Sequence, residues 1–251
     1  MHSILSEDEF NDMYGKIRMH SALVNKYPLE KIPCENTINK IMRIAKINNK
    51  LRKPHGITVS DNDATPADNL LKRDFKSDTP YKKCVTDITE IPAKDGKVYV
   101  SGLFDCFSLQ VLGLEIRDNM KSDLCVQTVK NAYITYPQLR GSIIHSDRGR
   151  QYTAMVFKSQ LEVFGIYQSM NSAGGRCHDN ARCEAMWARM KSELFYQRYD
   201  ATELTKEQIK QLVWRYFMSY WNNRRICTSI GNISPSTKVL EFYKNLKITK
   251  T

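Results

Sequence analysis

A mixed α/β sheet flanked by helices, with a small helical module in front of it, is the fold that this 251-residue sequence predicts. Three observations carry that reading. Short β-rich runs joined by tight turns begin at residue 84, a helical pattern over Ser122–Thr135 leads directly into a short apolar strand, and the first fifty residues show helical spacing with little β signal.

The module comes first in the chain. Residues 6–49 are polar-helical in composition, with Ile38, Ile41, Ile44 and Ile47 drifting slowly round one face and Pro28 and Pro33 between helices. Residues 1–50 therefore read as a small helical unit, which composition alone leaves open as a packing appendage or a DNA-binding element. From 51 to 83 the prolines at 54, 66 and 80 interrupt a run rich in Asp, Lys and Thr without apolar periodicity, the pattern of an extended linker. The third unit, 84–251, is expected to be the main α/β domain with a C-terminal helical tail.

Within that unit the runs 84–91, 97–108 and 110–117, separated by Lys94-Asp95-Gly96 and a very short turn at 108–110, form an antiparallel meander. Leu124, Val126, Val129, Ala132 and Tyr133 give Ser122–Thr135 its helical face. A strand at 142–146 after that crossover helix must run parallel to a neighbour. A helix at 153–164, a strand at Tyr167–Met170, a long helix at 179–196 and another at 206–221 complete a five-stranded mixed sheet with its helices.

Thirty-eight Lys plus Arg against twenty-seven Asp plus Glu give a formal charge of +11, which suits a polyanion such as nucleic acid. The acidic start lacks the apolar core of a secretory signal, and no apolar run reaches the roughly 18 to 20 residues of a membrane helix. Seven cysteines without a C-x-x-C pair read as reduced thiols. Cys177, His178 and Cys183 do not have zinc-site spacing. The expected location is the cytoplasm.

Three acids can meet in such a fold. Asp87 lies mid-strand, where alternation puts Val85, Asp87 and Thr89 on one face, and a carboxylate there is costly unless paired. Asp147 follows the 142–146 strand, and strand ends of α/β sheets are where side chains meet ligands. Gly149 is expected to allow a sharp backbone turn behind it. Glu184 sits on the long helix. Hard oxygen donors of this kind suit Mg²⁺, and two ions about 3.5 to 4 Å apart can activate a water or 3′ hydroxyl and stabilise the leaving oxygen of a phosphodiester. Asp87 would then be the bridging ligand. Among twenty-seven acids some triple arises by chance, so the acids alone leave a solvated surface open.

The local strings decide between these. His145-Ser-Asp-Arg-Gly-Arg-Gln-Tyr-Thr153, then a helix, Gly165-Ile-Tyr-Gln-Ser-Met170, a Gly-bearing loop, Asp179-Asn180 and Glu184 together resemble the catalytic core of insertion-sequence transposases of the IS-three type, relatives of retroviral integrases. Asn69-Leu-Leu-Lys-Arg-Asp-Phe75, Thr86-Asp-Ile-Thr89, Trp221-Asn-Asn-Arg-Arg225 and Gly231-Asn-Ile-Ser-Pro235 extend the resemblance over most of the chain. Residues 10–50 resemble, more weakly, the short helix-turn-helix segment that precedes the core in that family.

The resemblance implies a ribonuclease-H-like fold whose DDE triad is Asp87, Asp147 and Glu184. It implies Mg²⁺, with Mn²⁺ able to substitute and two ions present on DNA, and cleavage and strand transfer at the ends of an insertion sequence. Transposon-end DNA, target DNA, further copies of the chain and a DNA-binding partner from an upstream frame are the implied partners. The upstream helix-turn-helix and leucine zipper of the family are not in this sequence, so the chain is expected to be a second-frame product or a fragment of a bacterial fused enzyme, nucleoid-associated when bound. Thirty-six residues separate Asp147 from Glu184, one more than the family's usual thirty-five, and Trp221 and Cys227 stand where the family has Tyr and His. Those departures leave the triad intact.

Around the triad, Lys191 lies seven residues beyond Glu184 on the same helical face, where related integrases grip the DNA end. A solvated lysine is the alternative. Arg224 and Arg225 are candidate DNA contacts, with a solvated helix end as theirs. Trp187 is expected to pack, His145 to support the Asp147 strand, and Gly174 and Gly175 to loosen the loop before the long helix. Two rival functions remain at this point: a catalytically silent nucleic-acid binder and a ribonuclease-H-like nuclease acting on RNA–DNA hybrids.

Overall fold

The computed structural model describes residues 1–47, 67–172, 180–196 and 198–248. Its centre is one five-stranded sheet in the order β3-β2-β1-β4-β5. Strands β1 (Lys83–Ala93), β2 (Gly96–Asp105) and β3 (Val111–Arg117) form the expected meander, and β4 (Ile143–Ser146) and β5 (Tyr167–Met170) add in parallel. The β1–β2 turn places Gly96 at φ 132°, a backbone region that other residues rarely enter.

Helix α4 (Ser122–Thr135), bounded as the sequence predicts, covers one face of the sheet. Gly113 on β3 explains how closely it sits: a Cβ there would lie 2.3 Å from the Thr128 carbonyl oxygen and 2.9 Å from Ala132. With α6 (Met155–Phe164) it closes a core around Cys84, Leu103, Leu112, Val129, Ile144 and Phe157. The opposite face is covered by α7 (Ala181–Leu194) and α8 (Lys206–Trp214), over Val85, Val98, Val100, Phe104, Trp187 and Phe217. The last helix, α9 (Pro235–Ile248), reaches the first core through Val239.

Two expected helices differ in detail. Ala154 adopts an extended conformation, so the helix expected at 153–164 begins at Met155 as α6, and a short α5 (Arg150–Thr153) that was not expected precedes it. Helix α8 passes at Arg215 into a π-helical stretch, Arg215–Trp221, whose Tyr216, Phe217, Tyr220 and Trp221 are all buried. Apolar spacing does not distinguish i→i+4 from i→i+5 bonding over so short a run.

The linker expectation also changes. Its first part lies outside the described residues, but 67–82 belong to the core: Leu71 and Tyr81 are buried, and the Leu70 N–H donates to Ser169 Oγ at 2.9 Å. The N-terminal module contains α1 (His2–Leu5), a 3₁₀ turn at Glu9–Met13, α2 (Lys16–Lys26) and α3 (Glu35–Ile44). Its core is Ile4, Tyr14, Met19, Leu23, Ile38 and Met42, joined by Ile226 from the tail. The isoleucine face expected from sequence is not the buried one. Ile38 and Met42, four apart, point inward, while Ile44 is 83% exposed.

Candidate active site

Asp87 stands opposite Gly102 in the β1–β2 ladder. A Cβ on Gly102 would lie 3.0 Å from the Trp187 ring and 2.7 Å from that of Phe104, so the absent side chain is what lets the indole lie across the strands. From there Trp187 Nε1 donates to Asp87 Oδ2 at 3.1 Å. The indole is wedged edge-on between Phe104 and Phe217, at 5.1 and 5.7 Å. Trp187 packs as expected, but its hydrogen bond to a candidate catalytic carboxylate was missed. The available signal was its position one helical turn after Glu184.

Asp147 follows β4 directly and turns back to accept from the Gly149 N–H at 2.9 Å. Gly149 has φ −58°, so the sharp turn expected of it needs no glycine. Proximity is the reason instead: a Cβ would lie 3.0 Å from Asp147 Oδ1 and 3.1 Å from Gln151 Oε1. Behind this turn the buried His145 bonds Ser169 Oγ at 2.8 Å through Nδ1 and Asn171 Oδ1 at 2.9 Å through Nε2, tying β4 to β5. The Arg148 Nε–H adds a bond to the Asn171 carbonyl at 2.7 Å.

The electrostatics join the two aspartates. Burial, and then the charge of Asp147, push Asp87 up to about 8, against the opposing N–H groups of Ile88 and Trp187; Glu184 raises it further. Asp147 is also raised, chiefly by burial. Their hydrogen-bond donors named above are neutral N–H groups, and two like charges this close in a desolvated place cannot both ionise without a counter-charge. That is the donor chemistry of a divalent-cation site.

Glu184 opens α7 and is exposed at the rim, near enough for its charge to reach Asp87. Among the described residues, however, no three His, Cys, Asp or Glu side chains converge tightly enough to enclose one ion. Asp87 and Asp147 form the nucleus of the site, and Glu184 stands across from it on the helix. Gly174, Gly175, Cys177 and His178 lie outside the described residues.

Of the predicted DNA contacts, Lys191 is half-buried; burial lowers its pKa while Glu90 and Asp87 pull the other way, which puts its ammonium in the field of the site. Arg224 is open to solvent, with its Nη1 2.8 Å from Asp8 Oδ2. Arg225 must be corrected. It is fully buried and bidentate to Glu193, Nη2 to Oε1 at 2.6 Å and Nε to Oε2 at 3.0 Å, with its guanidinium 4.3 Å over the Trp221 ring. No face of it is left for a phosphate. The two family departures belong to the same packing: Trp221 Nε1 donates to the Leu109 carbonyl at 2.8 Å, and Cys227 Sγ accepts from Arg225 at 3.4 Å.

The model of the integrase core domain matches residues 77–175, a span that contains the whole sheet with Asp87 and Asp147 and stops short of Glu184. An uncharacterized transposase-like protein of Haemophilus influenzae is 34% identical over 172 residues, 67% of this chain and 76% of that protein. The chain belongs to the insertion-sequence transposases with an integrase core. A probable transposase for insertion sequence element IS1353 of Shigella flexneri is 33% identical over 205 residues, 80% of this chain but 39% of that protein. The transposase for insertion sequence element IS904 of Lactococcus lactis is 27% identical over 232 residues, 90% of this chain and 87% of that protein. The chain thus spans well under half of one such transposase and most of another. In three dimensions it is similar, with a TM-score of 0.55 at 14% identity, to a chain of the simian T-cell lymphotropic virus intasome complex, over 72% of this chain and 60% of that one. That likeness confirms the ribonuclease-H-like integrase fold for this transposase chain.

Proposed function

We propose that the chain catalyses metal-dependent cleavage and strand transfer at the ends of an insertion sequence, with Asp87, Asp147 and Glu184 as the metal-holding acids. The observation that carries this reading is Asp87 itself, a carboxylate set in the β1–β2 ladder at the centre of the sheet, which burial and the charge of the half-buried Asp147 push up to about 8. Mg²⁺, or Mn²⁺ in its place, would neutralise that pair and supply a polarised water or 3′ hydroxyl facing a phosphodiester, most simply as two ions once DNA is bound.

The chain's own groups do the positioning. Asp87, at the centre of the sheet, would hold the metal together with Asp147, and Trp187 takes up one of the two Asp87 oxygens, Oδ2. His145 and Asn171 hold the strand end that carries Asp147. Lys191 would hold a phosphate of the reacting strand close to the acids, and Arg224 a more distant one. Transposon-end and target DNA are the proposed substrates, further copies of the chain and an upstream-frame DNA-binding protein the proposed partners, and the bacterial cytoplasm, on nucleoid DNA when bound, the proposed location. Among the described residues no helix is long and apolar enough to cross a membrane.

The test is cleavage and joining of labelled terminal DNA of the flanking element in Mg²⁺ or Mn²⁺, with an RNA–DNA hybrid and random duplex alongside. Asp87→Asn, Asp147→Asn and Glu184→Gln are each expected to lower joining by about a hundredfold to a thousandfold. DNA affinity, supplied mainly by phosphate contacts, should hold. Lys191→Ala should slow joining of the element's own ends by on the order of a hundredfold at saturating DNA, with little change in random-duplex affinity. Cleavage of the hybrid alone, or joining that survives loss of an acid, overturns the assignment.

A further inference from the structure

Segment 8–12, Asp-Glu-Phe-Asn-Asp, lies across arginines of the catalytic half. Arg224 Nη1 is 2.8 Å from Asp8 Oδ2, and Arg215 Nη1 is 2.6 Å from Glu9 Oε1. Arg198 contacts Glu9 at 3.5 Å and also pairs with Asp12. The acids follow one another along a short 3₁₀ turn, so from Asp8 to Asp12 they span about 8 Å at ~2 Å per residue. Two or three successive phosphates of a DNA strand, at ~3.4 Å of axis each, cover a similar length.

These ion pairs are not what seats the segment. Phe10 does that: it is fully buried, 5.4 Å from the Tyr216 ring and 4.8 Å from that of Tyr220, and its carbonyl accepts from Tyr220 Oη at 3.3 Å. Arg198, 15% exposed, shares in that anchoring by donating to the Glu9 carbonyl. Arg215 and Arg224, by contrast, keep 55% and 59% of their side-chain surface open, while Glu9 and Asp8 keep 29% and 5% of theirs, so each pair sets a solvent-facing guanidinium over an inward-facing acid.

We propose that Arg215 and Arg224 form a phosphate-binding track for DNA, and that Asp8 and Glu9 are a built-in competitor that covers it until DNA arrives. Each guanidinium has five N–H donors in a fork that suits phosphate as well as carboxylate. In the exchange the two guanidiniums would turn outward with Phe10 left in place, and Asp8 would keep the bond it accepts from the Phe10 N–H. Helix α7 runs ~15 Å from Glu184 to Leu194 at 1.5 Å per residue, and Arg198, just beyond that end, pairs with the same acidic segment, so DNA laid along α7 from the acids would come to the segment after about four or five base pairs. The proposal rests on the transposase reading above and adds a cover to it.

The test is the salt dependence of binding to a random 20-base-pair duplex, for wild type and an Asp8→Asn/Glu9→Gln variant. Asn at position 8 can still accept from the Phe10 N–H as Asp8 does at 3.1 Å, so the cap is kept. The variant is expected to bind about threefold to tenfold tighter at low salt, because no ion pair has to be given up first, with its slope of log K against log salt close to that of wild type, since the same phosphates are contacted. Adding Arg215→Gln and Arg224→Gln should abolish the gain. Should the variant not fold, mass-spectrometric footprinting of the wild-type protein with an arginine-modifying glyoxal replaces it, and DNA should protect Arg215 and Arg224. Unchanged or weaker binding by a folded variant, or no protection of those arginines, overturns the cover. Wild-type binding without any salt response overturns the DNA reading itself.

Discussion

Helix α7 reaches one carboxylate, Asp87, through Trp187 and carries another, Glu193, near its end, and the two finish in opposite states. On one side Trp187 donates to Asp87, which burial and Asp147 push up to about 8. On the other, burial would also raise Glu193, but the charge and bidentate hydrogen bonds of Arg225, with Arg18 and Tyr216, outweigh it and hold the carboxyl at about 2. Desolvation acts upward on both. What differs is whether the protein brings its own counter-charge: Glu193 is completed within the chain, and Asp87 is left to be completed by something that binds.

Breaking the completed side should give the largest effect. Arg225→Met leaves Glu193 buried without its main partner and is expected to destabilise the chain by about 3 to 5 kcal/mol in denaturant unfolding, with much of the loss recovered in Arg225→Met/Glu193→Met. A loss below about 1 kcal/mol would mean that Arg18 alone suffices. The pH dependence has a definite sign. A carboxyl held below its unfolded value of 4.5 stabilises fully above that value, and the contribution disappears as pH falls toward about 2. Acid unfolding measured over that window should flatten in the double variant.

The uncompleted side responds to cations instead. Since Asp87 keeps its proton up to about 8, a bound divalent ion must displace it below that pH, and Mn²⁺ affinity should climb roughly tenfold per pH unit from 6 to 8 and then level. Calorimetry or a thermal-shift titration at several pH values measures this, and Asp87→Asn should remove the slope. A smaller effect sharpens the comparison further. Trp187→Phe keeps a ring between Phe104 and Phe217 but removes the N–H at Asp87, and should raise the Mn²⁺ or Mg²⁺ concentration for half-maximal joining by about threefold to tenfold. Unchanged cation dependence would leave Trp187 a packing residue only.

The meander was legible in the sequence because its β-rich runs are separated by tight turns, and helix Ser122–Thr135 because its apolar residues repeat over about four turns. Asp87 stands out because a strand centre is a costly place for a carboxylate and Asp147 because it follows a strand end, but among twenty-seven acids it is the resemblance of the strings around them that singles them out. Arg225 was not: its partner Glu193 is 32 residues away, and nothing local separates a buried guanidinium from a solvated one. The sequence reads Trp187 as a packing residue, and only the close approach of its ring over Gly102 shows where its N–H goes. In the module the spacing of Ile38, Ile41 and Ile44 was real, but tertiary packing chose Met42 over the last two.

Ile226, 8% exposed, completes the core of a module whose other members lie between residues 4 and 42. During synthesis that position is occupied last. At ~5 to 20 residues per second the ribosome needs on the order of ten seconds or more to travel from residue 42 to residue 226. Through that interval the nascent module carries an unfilled apolar seat, and its final closure waits on the emergence of the tail.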